Sequence, residues 1–271
     1  MKQGLAVLVG ATVLSLTIAT LSIEAQAGAI LLVNGAAEST EPGTTAAVTS
    51  NFITLEGNVG NSVVVSDGLP ANLASYAQVW DVRWFSPLTA TETSDYLSFL
   101  QGGGGLFVMG ENAGFLDRNN SIATLISDAG GGSINPTGNF EGNPYTETVL
   151  PPFTGPNPIP GNQITFAAPG QMLNSGTGQF MTSDPAGGGA GAAFAQGTLA
   201  NALTGSLTTV FDVNFMENQF FEDSSQPFEE NLIGFVSSQA PPGTVPEPTS
   251  LVLIGTALAG FGLARRRRKA A

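Results

Sequence analysis

The 271-residue chain contains no cysteine and no histidine. Their absence excludes disulfides, Cys/His zinc sites, Cys–His or Ser–His–Asp nucleophilic catalysis and a histidine pH switch. Charge is scarce too: Asp, Glu, Lys and Arg make up 11% of the residues, less than half the roughly 25% of an average protein. Basic residues are scarcer still. Lys2, Arg265, Arg266, Arg267, Arg268 and Lys269 account for six of the eight, leaving Arg83 and Arg118 to the body, residues 28–244. Nineteen acids in that body give it a net charge of −17. Such a surface repels nucleic acid and anionic lipid, and it suits divalent cations, a basic partner or plain solubility outside the cell. The body also has no lysine, so Gly102-Gly103-Gly104-Gly105 is not part of a phosphate-binding G-x-x-x-x-G-K-[ST] loop.

Hydrophobic residues are plentiful at 42%, alongside 35 glycines and 17 prolines. That balance predicts a folded, turn-rich domain rather than a disordered chain. The N-terminus has Lys2, a charge-free apolar run over 5–23, and then Ala25-Gln26-Ala27. This order of basic, apolar and small-x-small segments reads as a secretory signal over 1–27, cut after Ala27 by signal peptidase. An uncleaved anchor is the alternative.

At the other end, Pro246-Glu247-Pro248 precedes a charge-free stretch over 249–264 and the basic run Arg265 to Lys269. As a helix the stretch spans about 24 Å, a little short of the roughly 30 Å hydrocarbon core, a shortfall that thinning or snorkelling can cover. The basic run places the tail in the cytoplasm and the body on the exported side. The triplet, apolar helix and arginine cluster together resemble the PEP-CTERM sorting signal of bacteria, here over 245–271. The resemblance implies transient residence in the inner membrane and cleavage near the triplet by an exosortase-like transpeptidase. The product would be membrane-anchored before processing, and at the cell surface or extracellular after it.

Between these ends, apolar runs predict strands at 29–33, 62–65, 77–82, 106–109 and 207–213. Helices are predicted over 89–100, with Thr89, Thr91 or Thr93 as cap, over 121–129, and over 227–237. Residues 133–205, dense in Gly, Pro, Asn and Thr, predict an irregular, partly β insertion with short strands at 163–166 and 179–181. The exported domain thus covers 28–238, with a linker over 239–244. Strands alternating with helices imply α/β architecture, a mostly parallel sheet with helices on both faces.

The order of 76–82, the helix to Leu100, 102–114, 210–216 and 230–233 resembles a class I glutamine amidotransferase-like, flavodoxin-like domain. In that family a nucleophilic cysteine sits on a G-x-Cys-x-G elbow. The matching segment here is Gly110-Glu111-Asn112-Ala113-Gly114, which keeps the glycines but puts Asn112 where the nucleophile would be. An amide is no nucleophile at neutral pH, and there is no histidine to act as base, so the glutaminase mechanism is excluded.

Other chemistry is conceivable at strand ends, where open α/β sheets bind ligands. Glu111, Asp117, Asp212 and Glu217 lie near such ends. A pair of carboxylates supports glycoside hydrolysis, and Glu111, Asp212, Asn214 and Glu217 form an oxygen-rich candidate set for Ca2+, without EF-hand spacing. Arg83 and Arg118 are read as structural ion pairs, with an anion clamp as the alternative. Trp80, Trp84 and Phe85 either pack in the core or stack a sugar. The resulting expectation is a non-enzymatic, cofactor-free surface or matrix protein, structural or ligand-binding, associated with exopolysaccharide. A secreted glycan hydrolase and a calcium-stabilised adhesion module are the alternatives.

Overall fold

A computed structural model describes residues 29–139, 142–217 and 225–239. The predicted signal segment with Ala25 and Ala27, the linker beyond Gln239, the Pro246-Glu247-Pro248 triplet, the span 249–264 and the basic run all lie outside the described residues. Among the described residues, no helix is long and apolar enough to cross a membrane.

In chain order the first half contains β1 (Ala29–Val33), α1 (Pro42–Asn58), β2 (Val63–Ser66), β3 (Tyr76–Asp81), α2 (Ala90–Gln101), β4 (Gly105–Gly110) and α3 (Leu116–Asp128). The insertion supplies β5 (Pro136–Asn139), β6 (Tyr145–Val149), β7 (Gln163–Phe166), β8 (Gly170–Met172), β9 (Gln179–Phe180), β10 (Thr182–Ser183) and β11 (Gly191–Phe194). The chain then returns through β12 (Ser206–Phe211) to the helix α4 (Gln226–Gln239).

Seven strands form the main sheet in the order β2-β1-β3-β4-β12-β11-β9. The first five are parallel, and β11 and β9 add antiparallel strands at the far edge. Every residue of β4 and β12 is buried, as expected for parallel strands covered on both faces. Side chains alternate along the strands. Ile30, Leu32, Trp80, Phe107, Met109 and Val210 face α1 and α4, where Phe52 and Leu232 meet them. Leu31, Val33, Val79, Leu106, Val108 and Leu207 face α2 and α3, against Tyr96, Leu100, Ile122 and Ile126. The fold is mixed α/β with a mostly parallel sheet and helices on both faces.

The predicted caps and strands reappear with small shifts. Thr89 caps α2 in a capping box, accepting from the Glu92 N–H while the Glu92 carboxylate accepts from the Thr89 N–H. The helix α3 starts five residues before the predicted 121, because Arg118 and Asn119 are buried rather than solvated. The helix α4 continues to Gln239, into the predicted linker. One whole element, α1, has no counterpart among the predicted helices. Its inward positions Val48, Phe52 and Leu55 are diluted among threonines whose hydroxyls bond back into the helix: Thr49 Oγ1 to the Thr45 carbonyl and Thr54 Oγ1 to the Ser50 carbonyl.

The insertion is more ordered than its composition suggests. Beyond the two strands added to the main sheet, it forms a three-stranded sheet, β10-β6-β7, and the pair β5-β8.

Candidate functional site

The parallel register of β4 and β12 pairs Gly110 with Phe211, so the next residues, Glu111 and Asp212, emerge side by side at the carboxyl end of the sheet. Both are buried, at 3% and 0% exposure. Glu111 Oε1 accepts from the backbone and side-chain N–H of Asn112, both at 2.8 Å, and Oε2 accepts from the Val213 N–H at 2.8 Å. Asp212 Oδ1 accepts from the Asn214 N–H and Oδ2 from the Ala167 N–H, each at 2.7 Å. Burial raises the Glu111 pKa against the pull of these donors. For Asp212, burial and the neighbouring Glu111 charge do the same. The two carboxyls therefore titrate as a unit, above the usual carboxylate range.

Asn119 on α3 holds this end of β4. Its Oδ1 accepts from the Glu111 N–H at 3.0 Å, and its Nδ2 donates to the Glu111 carbonyl. The residue thus supplies both halves of a strand partner. The turn over 110–114 is not a strained elbow. Asn112 lies at φ −58°, ψ 175°, and its Oδ1 accepts from the Gly114 N–H at 2.8 Å, an ordinary cap on the short 3-10 turn Ala113–Phe115. Gly110 is there because a Cβ would run into the Phe211 ring and Asn119, not to permit a left-handed turn.

A second polar cluster lies one strand away. Asp81 ends β3 and is fully buried. It accepts from Arg83 Nε and Nη2, each at 2.8 Å, and from the Tyr96 hydroxyl at 2.9 Å. Arg118 Nη2 pairs with it at 3.1 Å, while Arg118 Nε donates to the Met109 carbonyl at 2.9 Å. Arg83 Nη1 also meets Glu92 Oε1 at 2.7 Å. Burial alone would raise the Asp81 pKa; the charges of Arg118 and Arg83, with the hydrogen bonds, outweigh it and hold the carboxyl at about 2. Both arginines of the body thus converge on one aspartate, and neither is a free anion clamp.

The remaining predicted residues are dispersed. Glu217 accepts from Asn214 Nδ2 at 2.6 Å and from the Thr44 hydroxyl at 3.3 Å, so it reaches the carboxyl pair only through Asn214, whose N–H donates to Asp212. Asp117 is exposed in the first turn of α3. Among the described residues, no group of three or more acids is placed to hold a metal ion. Trp80 is fully buried, stacked on Phe107 with centroids 4.8 Å apart, and Trp84 is buried against the edge of Phe85. The tryptophans belong to the core and offer no face to a sugar. Gly102 to Gly105 lie at the start of β4, the opposite end of the sheet.

The insertion roofs the carboxyl end. Gly170 packs so closely on the Glu111 carbonyl that a Cβ would stand 2.5 Å from it, and Phe166 meets Phe215 edge-on. Sequence reasoning did not single out Asn119, Tyr96 or the buried Glu147. Glu147 occupies an inward position of β6, where burial pushes its carboxyl up to about 7. Only its alternation with Val149 hints at this.

Residues 244–268 match the PEP-CTERM protein-sorting motif. That match decides the route the chain is marked for. The motif implies sorting by an exosortase, with export through the membrane to the surface or the extracellular space. No curated protein matches the chain. Among solved structures, the body is similar to one described as the mmIFT52 N-terminal domain, at 13% identity and TM-score 0.56, covering 78% of this chain and 97% of that one. It is also similar to a ThuA-like protein from Bacteroides uniformis ATCC 8492, at 14% identity and TM-score 0.52, covering 77% and 90%. At these identities the likeness is one of fold alone.

Proposed function

We propose that the exported body is a non-catalytic module of the cell surface or extracellular matrix, with a structural or ligand-binding role alongside exopolysaccharide. Its strand order β2-β1-β3-β4-β12 is the flavodoxin-like one, and the amidotransferase-like reading of the domain rests on that order. One observation carries the proposal. At the carboxyl end of the sheet, where such folds do chemistry, Glu111, Asp212, Asp81, Arg83 and Arg118 are buried and bonded to one another or to backbone groups, and the insertion roofs Glu111 and Asp212.

Maturation in this reading has two cuts, one after Ala27 by signal peptidase and one near Pro246-Glu247-Pro248, with 249–264 as a transient membrane helix. Intact mass of the protein from membrane and culture-supernatant fractions of its host tests this. The expected species begins near Gly28 and ends near the triplet. A species that keeps Arg265 to Lys269 and occurs only in membranes would overturn the sorting model.

The side-by-side carboxyls of Glu111 and Asp212 favour one competing reading, a glycan hydrolase that opens its roof. Hydrolysis on a glycan panel that disappears in both Glu111→Gln and Asp212→Asn would establish it. Glycan binding without hydrolysis, unchanged in these variants, is the result expected here.

A further inference from the structure

The strand β2 ends the main sheet and, among the described residues, pairs with β1 alone. Its other edge is open. Edge strands are normally blunted by charge, proline or a bulge. This one reads Val-Val-Val-Ser, with none of these and an unbroken register to β1. The ladder fixes where its polar groups point. The Ser62 carbonyl accepts from the Ile30 N–H and the Ser66 carbonyl from the Asn34 N–H, so residues 62, 64 and 66 face β1. Val63 and Val65 alternate with them and turn their N–H and C=O groups away from the sheet. Apolar side chains gather at the same edge. Seven large apolar side chains are exposed among the described residues, and Ile53, Val59, Val64 and Val65 are four of them. Val64 and Val65 stand on opposite faces of β2, at 45% and 43% exposure. Val59 follows the last turn of α1, just before the strand. Ile53 lies about 200° round α1 from Asn51, whose Nδ2 donates inward along the sheet to the Met216 carbonyl at 3.0 Å. Ile53 is thus on the flank of α1 turned to the β2 edge.

This edge is complementary to itself. Antiparallel pairing about a two-fold axis at Val64 sets Val63 opposite Val65 of a second copy, and Val65 opposite Val63 of that copy. All of these residues point their polar groups at the opposing strand, so a hydrogen-bonded ladder forms without disturbing the one to β1. Val64 meets its own copy in the close, non-hydrogen-bonded position, where side chains pack across strands. The same register puts Asp67, the exposed acid that follows the strand, opposite Asn61 rather than opposite another acid. That avoidance is needed, because each body carries −17 and its two arginines are committed to Asp81. An uncharged strip in so acidic a body suits a copy of itself better than a charged partner strand. We propose that two copies of the body associate edge to edge through β2, continuing the main sheet across a two-fold axis. The axis stands at right angles to the sheet, which places both α1 helices on one face with Ile53 and Val59 beside the seam. This surface lies apart from the carboxyl pair and does not depend on the non-catalytic reading of the domain.

Sedimentation equilibrium of protein purified from its host tests this, over a concentration series and with enough NaCl to screen the acidic bodies. A monomer–dimer equilibrium is expected. Val65→Pro removes an outward donor that β1 does not use, and should raise the dimer dissociation constant about tenfold or more. Val64→Lys and Val64→Glu each set like charges face to face across the axis, so either variant alone should be monomeric. Mixed together, these two variants should form a heterodimer, which damage to the fold could not produce. If Val65→Pro fails to fold, the two Val64 variants, whose changed side chain is exposed, carry the comparison. An unaltered protein that stays monomeric throughout the series overturns the proposal and leaves the edge to a different chain. A dimer that survives all three variants overturns it, as do folded Val64 variants that fail to pair with each other.

Discussion

Asp81 pairs with the only two basic side chains of the body, and it does so from within the core. Removing one partner of a buried ionic cluster leaves the other uncompensated, typically at a cost of 3–5 kcal/mol. Asp81→Ala strands two guanidinium groups and is expected to lose at least about that much in urea unfolding, whereas Tyr96→Phe, which deletes one hydrogen bond to the same carboxylate, should lose about 1–2 kcal/mol. A ratio near one between the two would show that Asp81 is not the centre of the cluster. That Arg83 and Arg118 form structural ion pairs was legible from their isolation in an acidic chain. Their common partner was not, because Asp81 and Arg118 are joined only by the packing of α3 against the ends of β3 and β4. The Glu111–Asp212 pair was half legible for the same reason: both were placed at strand ends, but their adjacency is a property of the register.

At the scale of elements, apolar runs and caps were the readable signals. Strands β1, β3, β4 and β12 announce themselves by continuous hydrophobicity, and the helix α2 by its leading threonines, of which Thr89 is the cap. The helix α1 does not, since its threonines satisfy their hydroxyls on the helix's own carbonyls and blur the polar face. The insertion strands are hidden differently: β11 is small and apolar, and β6 carries its acid inward. The insertion is fixed by the β11–β12 ladder and by contact with the sheet end at Gly170. Gly170→Ala is expected to cost about 1–3 kcal/mol, the usual penalty of overpacking, because its Cβ meets the Glu111 carbonyl. Gly234→Ala, on the exposed side of α4 with nothing within 4 Å, should instead add roughly 0.5–1 kcal/mol. Denaturant midpoints for the two variants check both signs.

For the whole molecule the buried acids set the response to pH. Glu147, pushed up to about 7, and the raised Glu111 and Asp212 stay protonated in the fold after their unfolded counterparts ionise near pH 4. The stabilisation from Glu147 and Asp212 is complete below that pH and is lost as pH rises toward 7–8, and Glu111 adds to it in the same direction. Asp81 works in the opposite sense: held at about 2, it contributes fully above its unfolded pKa near 4, and that contribution disappears as pH falls through 2. Stability should therefore peak around pH 4–5 and decline toward pH 8. Melts from pH 3 to 9 in EDTA should show that slope, shallower in Glu147→Gln; a flat profile above pH 5 would contradict it.

The central position of β12 also has a kinetic meaning. Its main partner, β4, is separated from it by residues 111–205, so the pairing at the heart of the sheet closes one of the longest loops in the chain. Until Phe211 is available, β4 is a bare, fully apolar edge, the kind of strand that invites pairing with another chain. Closure over such a distance is slow. A protein that crosses a membrane cannot complete this sheet until nearly the whole body has followed, so β4 keeps its open edge through most of that passage and is covered only when β12 arrives.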